Sequence, residues 1–223
     1  MKIHKAGYIP ILVILILVLL ILVIINLIFR EQTFIHYSLY FIAVAFLFLV
    51  VRFFRIPKRP FVPEEYTIFS AADGMVVAIE EIEEDEYFKD KRIQVSVFMS
   101  PLNAHVNWCP INGTVEYIRH YMGRHHPAYL PKASLENEMT SVVLNTNNGQ
   151  QVMLRQIAGI MARRIICKAK LGMKVTQGDQ LGLIKFGSRV DIILPADAKV
   201  HVEINQGVRG MRHKIAELNA ASE

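Results

Sequence analysis

In the segment IKFGSRVDIILP, residues 184–195, a Gly-Ser pair separates two apolar runs, and its two residue types could do together what neither does alone. Gly187 has no side chain to hinder a neighbouring hydroxyl and tolerates unusual backbone angles, so Ser188 Oγ could approach the Gly187 carbonyl carbon. Attack turns the amide into an ester. Removing the Ser188 α-proton then expels the Gly187 carboxylate, and hydrolysis of the remaining dehydroalanine leaves a ketone, a pyruvoyl group, at a new N-terminus. Such a group is an electrophile that no side chain supplies. Gly-Ser is equally an ordinary turn, and the dipeptide alone does not decide between them.

Other residues could serve such chemistry. His105, in SPLNAHVNWCP, follows a strand-like run, and histidine exchanges protons near neutrality; a hydrogen-bonded histidine at a strand end reads the same way. Asp73, in SAADGMV, is a candidate carboxylate in an Asp-Gly pair, which is also a common turn. Asp191, three residues beyond Ser188, is its local rival. In YMGRHHPAYLPK, Arg124, His125 and His126 form a cationic patch suited to a phosphate or to a solvated loop. With His120 they also suggest a metal. However, their spacing fits no motif and their sequence neighbours offer no carboxylate or thiolate, so no metal site is expected.

The elements that must position these residues are strands. From Tyr66 onward, short Val- and Ile-rich runs (MVVAIEEI, RIQVSVFM, GTVEYIRHY, TSVVLNT, QQVMLRQIA, RRIICKAK, QLGLIKF, VDIILP, AKVHVEI) alternate with turn signals such as ADG, ING and TNNGQ. This predicts a mainly β fold, a barrel- or sandwich-like catalytic domain over 66–223. LGMKVTQGDQLGLI and PADAKVHVEINQGVRG resemble the two arms of a lipoyl-like hammerhead.

Of the 223 residues 52% are apolar, with the excess before residue 52. Residues 1–51 are read as an N-terminal membrane anchor, a transmembrane helical hairpin with spans at about 9–29 and 34–51. The competing reading of the second run is a helix lying in the interface. Lys2, Lys5, Arg52, Arg55, Lys58 and Arg59 flank the hairpin, which puts both ends and the catalytic domain on the cytoplasmic side of the cell (inner) membrane. Residues 52–65 form a basic, proline-containing linker. The net charge of +5 lacks a basic-aromatic stripe, which argues against nucleic acid, and two cysteines, Cys109 and Cys167, support no disulfide framework.

In order along the chain come RFFRIPKRP, SAADG (70–74), VFMSPLNAHVNWCPINGTV (97–115), PKASLENE (131–138), QIAGIMARRI (156–165) and FGSRVDIILP. From about residue 52 to the C-terminus the chain thereby resembles the short form of phosphatidylserine decarboxylase. The resemblance implies a proenzyme that cuts itself between Gly187 and Ser188 into a β chain (1–187) and an α chain (188–223), which remain together as a heterodimer open to higher oligomers. It implies a covalent pyruvoyl cofactor from Ser188, which condenses with the amine of membrane phosphatidylserine and draws electrons from the breaking carboxylate bond to give phosphatidylethanolamine. It also implies that His105 is the acid that protonates the product and that Asp73 takes part in self-cleavage.

One position departs from the longer form, where a second histidine acts as base in self-cleavage; here Trp108 stands there, and an indole accepts no proton. His105, His125 or His126 remain as alternatives for that base. Two other functions stay open at this point: decarboxylation of another phosphoserine-headed lipid such as archaetidylserine, and a non-enzymatic, membrane-tethered β-rich adaptor.

Overall fold

The computed structural model describes residues 2–28, 33–124, 126–128, 136–159, 164–184 and 188–219. They fall into two compact units, 1–58 and 59–223.

In the first unit, β1 (Lys2–Ile3) leads into α1 (Tyr8–Ile28), and α2 (Phe34–Phe53) leads into β2 (Arg55–Ile56), which returns to pair antiparallel with β1. Both helices are long and apolar enough to cross a bilayer. The leucines, isoleucines and phenylalanines along them are largely exposed, which suits lipid rather than water. The second helix runs past the expected end at residue 51, so Arg52 lies in its last turn, where a cation meets the negative end of the helix dipole. Gly7 lies where a Cβ would collide with the Phe54 ring at 2.5 Å, so the bare backbone lets the two ends of the unit close.

In the second unit the alternating runs form strands as expected. In chain order they are β3 (Thr67–Phe69), β4 (Gly74–Glu84), β5 (Asp90–Met99), β6 (Val106–Trp108), β7 (Gly113–Tyr121), β8 (Met139–Asn145), β9 (Gln151–Ile157), β10 (Ile165–Cys167), β11 (Lys174–Val175), β12 (Gln180–Ile184), β13 (Ser188–Pro195), β14 (Lys199–Val200), β15 (Gly207–Val208) and β16 (Lys214–Glu217). An eight-stranded sheet runs β11-β7-β8-β9-β13-β5-β4-β15, and two three-stranded sheets run β10-β12-β6 and β14-β16-β3. Register shifts at Val76/Ala78 and Val115/Tyr117 put an extra residue into β4 and β7, which bends them and curls the large sheet into a half-barrel.

Alternation divides the large sheet into two faces. Val95, Val97, Met99, Val142, Leu144, Val152, Leu154, Val190, Ile192 and Leu194 turn toward the main core, whereas Val143, Met153 and Ile193 form a smaller cluster on the reverse. The two hammerhead-like arms send their two-residue strands, β11 and β15, to opposite edges of this sheet. In the second arm the strand within AKVHVEI is short, Lys199–Val200, with the His201 N–H adding a bond to the Ile215 carbonyl at 2.9 Å; beyond it Asn205 turns through a positive φ of 67° and the Gln206 side chain accepts from the Glu203 N–H at 2.9 Å.

Candidate functional site

Ser188 is the first residue of β13, directly opposite Met99, the last residue of β5. It is fully buried, shares its face with Val190 and the main core, and its Oγ has no hydrogen-bond partner among the described residues. A buried hydroxyl without a partner is costly, and such groups concentrate where chemistry needs them. Gly187 lies outside the described residues.

His105 arrives from the other sheet. Leu183 pairs with Val106, and the Ile184 N–H donates to the His105 carbonyl at 3.2 Å. Three residues separate Ile184 from Ser188, so the imidazole loop and the serine lie within about 14 Å of chain reach. The loop is braced: Asn103 Oδ1 accepts from the Ser100 N–H at 2.9 Å and the Ser100 hydroxyl at 2.7 Å. The buried His105 ring places Nδ1 3.0 Å from the Asn103 carbonyl. A carbonyl only accepts, so Nδ1 carries the proton and Nε2 is the atom that can take one up.

Asp73 lies at the opposite end of β6. Its carboxylate receives two bonds of 2.6 Å from Arg59 and one of 2.9 Å from the Gly210 N–H. Arg59 also donates to the Gly210 carbonyl at 2.6 Å and lies 5.0 Å from the Trp108 ring centre. Gly210 must be bare, because a Cβ there would come within 2.5 Å of the indole. Trp108 therefore floors an arginine-carboxylate pair, and Asp73 bonds to neither His105 nor Ser188.

Arg124 and His126 both face Glu136, at 3.8 and 3.0 Å, and His120 faces Glu138 at 3.7 Å. The carboxylates missing from the sequence neighbourhood of these histidines are thus supplied from across the loop. His125 lies outside the described residues. Asp191, rather than facing solvent, is buried in an ion pair with Arg189 at 2.8 Å. Burial, helped by the charges of Asp179 and Cys167, pushes the Cys109 thiol up to about 12, so it is protonated and inert.

A cleft of about 670 Å³ opens on the reverse face of the large sheet, lined by Glu84, Glu86, Gln94, Arg155 and Arg189 among others. These residues are out of phase with Ser188, so its hydroxyl faces away from this cleft. Asn107 and Gln156, buried near Ser188 and bonded to each other at 2.7 Å, were not anticipated from sequence. The available signal was phase: Gln156 falls in step with Val152 and Leu154, where an apolar residue belongs.

Against known proteins, the family model for phosphatidylserine decarboxylase matches residues 46–216. The phosphatidylserine decarboxylase proenzyme of Parabacteroides distasonis is 44% identical over 221 residues, covering 98% of this chain and all of that one. That of Cytophaga hutchinsonii is 42% identical over 217 residues, covering 97% and 99%, and that of Amoebophilus asiaticus 48% over 174, covering 78% and 77%. The class is that of decarboxylases with a mainly β domain behind two apolar helices. Within it, the chain belongs to the phosphatidylserine decarboxylase family.

Proposed function

We propose that this protein decarboxylates phosphatidylserine to phosphatidylethanolamine, after cutting itself between Gly187 and Ser188 and converting Ser188 to a pyruvoyl group. The observation that carries this reading is the buried hydroxyl of Ser188, without a hydrogen-bond partner among the described residues, at the head of the strand that follows β12, whose last residue Ile184 bonds the His105 carbonyl.

In the cut, the Ser188 oxygen bonds to the Gly187 carbonyl carbon as the C–N bond breaks, and the hydroxyl proton ends on the Ser188 nitrogen. Loss of the α-proton then expels the Gly187 carboxylate, and water hydrolyses the resulting enamine to the ketone with release of ammonia. The site fits the group, because the buried Ser188 hydroxyl has no hydrogen-bond partner among the described residues that its conversion to a ketone would break.

A pyruvoyl ketone supplies a sink for the electron pair left when the substrate carboxylate departs as carbon dioxide. His105 takes a proton on Nε2, while Nδ1–H, tied to Asn103, fixes the plane of the ring, and returns it to the carbon that lost the carboxylate. Asp73 acts through position and field, holding Arg59 and Gly210 rather than an imidazole. Arg124 and His126 meet the lipid phosphate once Glu136 yields to it. The apolar helices hold the enzyme at the bilayer, with basic flanks on the cytoplasmic side of the inner membrane, and so raise the effective concentration of a lipid substrate.

Intact-mass analysis of the purified protein tests this. Two polypeptides are expected, 1–187 and 188–223, the smaller beginning with a pyruvoyl group. A single chain of 25.5 kDa with its serine intact, in protein that still decarboxylates phosphatidylserine, overturns it.

A further inference from the structure

The core face of the large sheet carries a polar side chain that the chemistry above does not use. Gln156 is fully buried in β9 opposite Val190, two residues from Ser188 on the same face. Diagonal neighbours of this kind sit about 7 Å apart, within reach of a long side chain. Its Nε2 donates to Asn107 Oδ1 at 2.7 Å, and Asn107 Nδ2 lies 3.6 Å from Met99 Sδ, the residue opposite Ser188. Gly182 makes room for this pair: a Cβ there would stand 3.0 Å from Gln156 Nε2 and collide with the Ile166 carbonyl.

On this face two buried atoms, Gln156 Oε1 and Ser188 Oγ, have no hydrogen-bond partner among the described residues. One can only accept; the other carries a proton to donate. Building on the self-cleavage reading, we propose that Gln156 is a positioning residue for the cut, its Oε1 coming to accept from the Ser188 hydroxyl in the state that cuts. Asn107 occupies the amide nitrogen and so leaves the oxygen as the end of the Gln156 amide available to the serine. The bond fixes the Oγ–H direction and leaves the oxygen lone pairs for the preceding peptide carbonyl. An amide is no base, so Gln156 orients the hydroxyl and the proton moves on to the Ser188 nitrogen.

The test follows chain cleavage on gels from the moment of synthesis, separately from decarboxylation. Gln156→Met keeps length and volume without polar atoms; Gln156→Glu keeps an acceptor oxygen but loses the N–H to Asn107. Gln156→Met should be cut about tenfold more slowly than wild type or worse. Hydroxylamine, which opens esters, should release no fragment from it, because the block precedes the ester. Gln156→Glu should be cut faster than Gln156→Met. A packing role alone ranks them the other way, since a carboxylate buried against Asn107 Oδ1 costs more than a thioether. If Gln156→Met melts as an unfolded chain, Asn107→Leu reports on the same pair: slowed cutting supports the proposal and wild-type cutting overturns it. A folded Gln156→Met cut at the wild-type rate, or opened by hydroxylamine, removes the role of Gln156 alone. An uncut wild-type chain overturns the self-cleavage reading beneath it.

Discussion

The backbone N–H of Ile184 donates to the carbonyl of His105 at 3.2 Å, so the chain entering the Gly187-Ser188 segment is already fastened to the loop that carries the imidazole. In protein that has already matured, His105→Ala should lower turnover about 10²- to 10⁴-fold, the range for losing a positioned acid or base. Decarboxylation assays on purified, cut protein measure this, and full turnover removes the histidine from the chemistry.

Ser188→Ala should leave one folded chain of 25.5 kDa with no decarboxylase activity. The change removes at most one hydrogen bond, so it should cost no more than about 1 kcal/mol of stability. A gel and a melting curve suffice, and a variant that still cuts at this bond contradicts the serine's role.

Arg189 and Asp191 form a pair whose side chains are 4% and 0% exposed, with Arg189 also reaching the Ala128 carbonyl at 3.3 Å. Asp191→Ala takes the buried countercharge from the guanidinium and should cost about 3–5 kcal/mol. Replacing both residues with leucine should recover most of that loss in urea melts. A single-variant loss near zero would mean that the charge finds water.

Glu84 gives a pH signature. Burial pushes its carboxyl up, but the N–H groups of Tyr87, Phe88 and Glu86 and the Arg155 guanidinium together outweigh that and leave it below its ordinary value. A carboxyl lowered by folding stabilises the protein fully above its unfolded value of about 4.3 and loses that contribution as pH falls through the lowered one. Glu84→Gln should therefore be less stable than wild type at pH 7, with the gap closing below about pH 4. Denaturant midpoints across that range check it; a gap constant with pH excludes ionisation as the cause.

Much of the fold was legible because its strands bury one face at a time. The alternation in RIQVSVFM and TSVVLNT marks β5 and β8 directly, and the uncharged run from Ile9 marks the first helix. AKVHVEI misled, because its pattern reads the same whether or not a neighbouring strand is there to pair with it. At the site, residue type and order pointed to Ser188 and His105, but spacing along the chain does not say what a carboxylate touches. Asp73 finds its partner, Arg59, in a segment that reads as a loose linker, and nothing in its composition announces that pairing. Gln156 and Asn107 lie 49 positions apart and meet only because Gly182 lets two sheets close over them.

The strand headed by Ser188 lies mid-sheet, with β5 along one margin and β9 along the other. Severing the backbone just ahead of it frees one end and leaves both ladders whole. The shorter polypeptide is then a plank locked into the floor, held without covalent attachment, and the two products should copurify through every step that spares the sheet and separate only in denaturant.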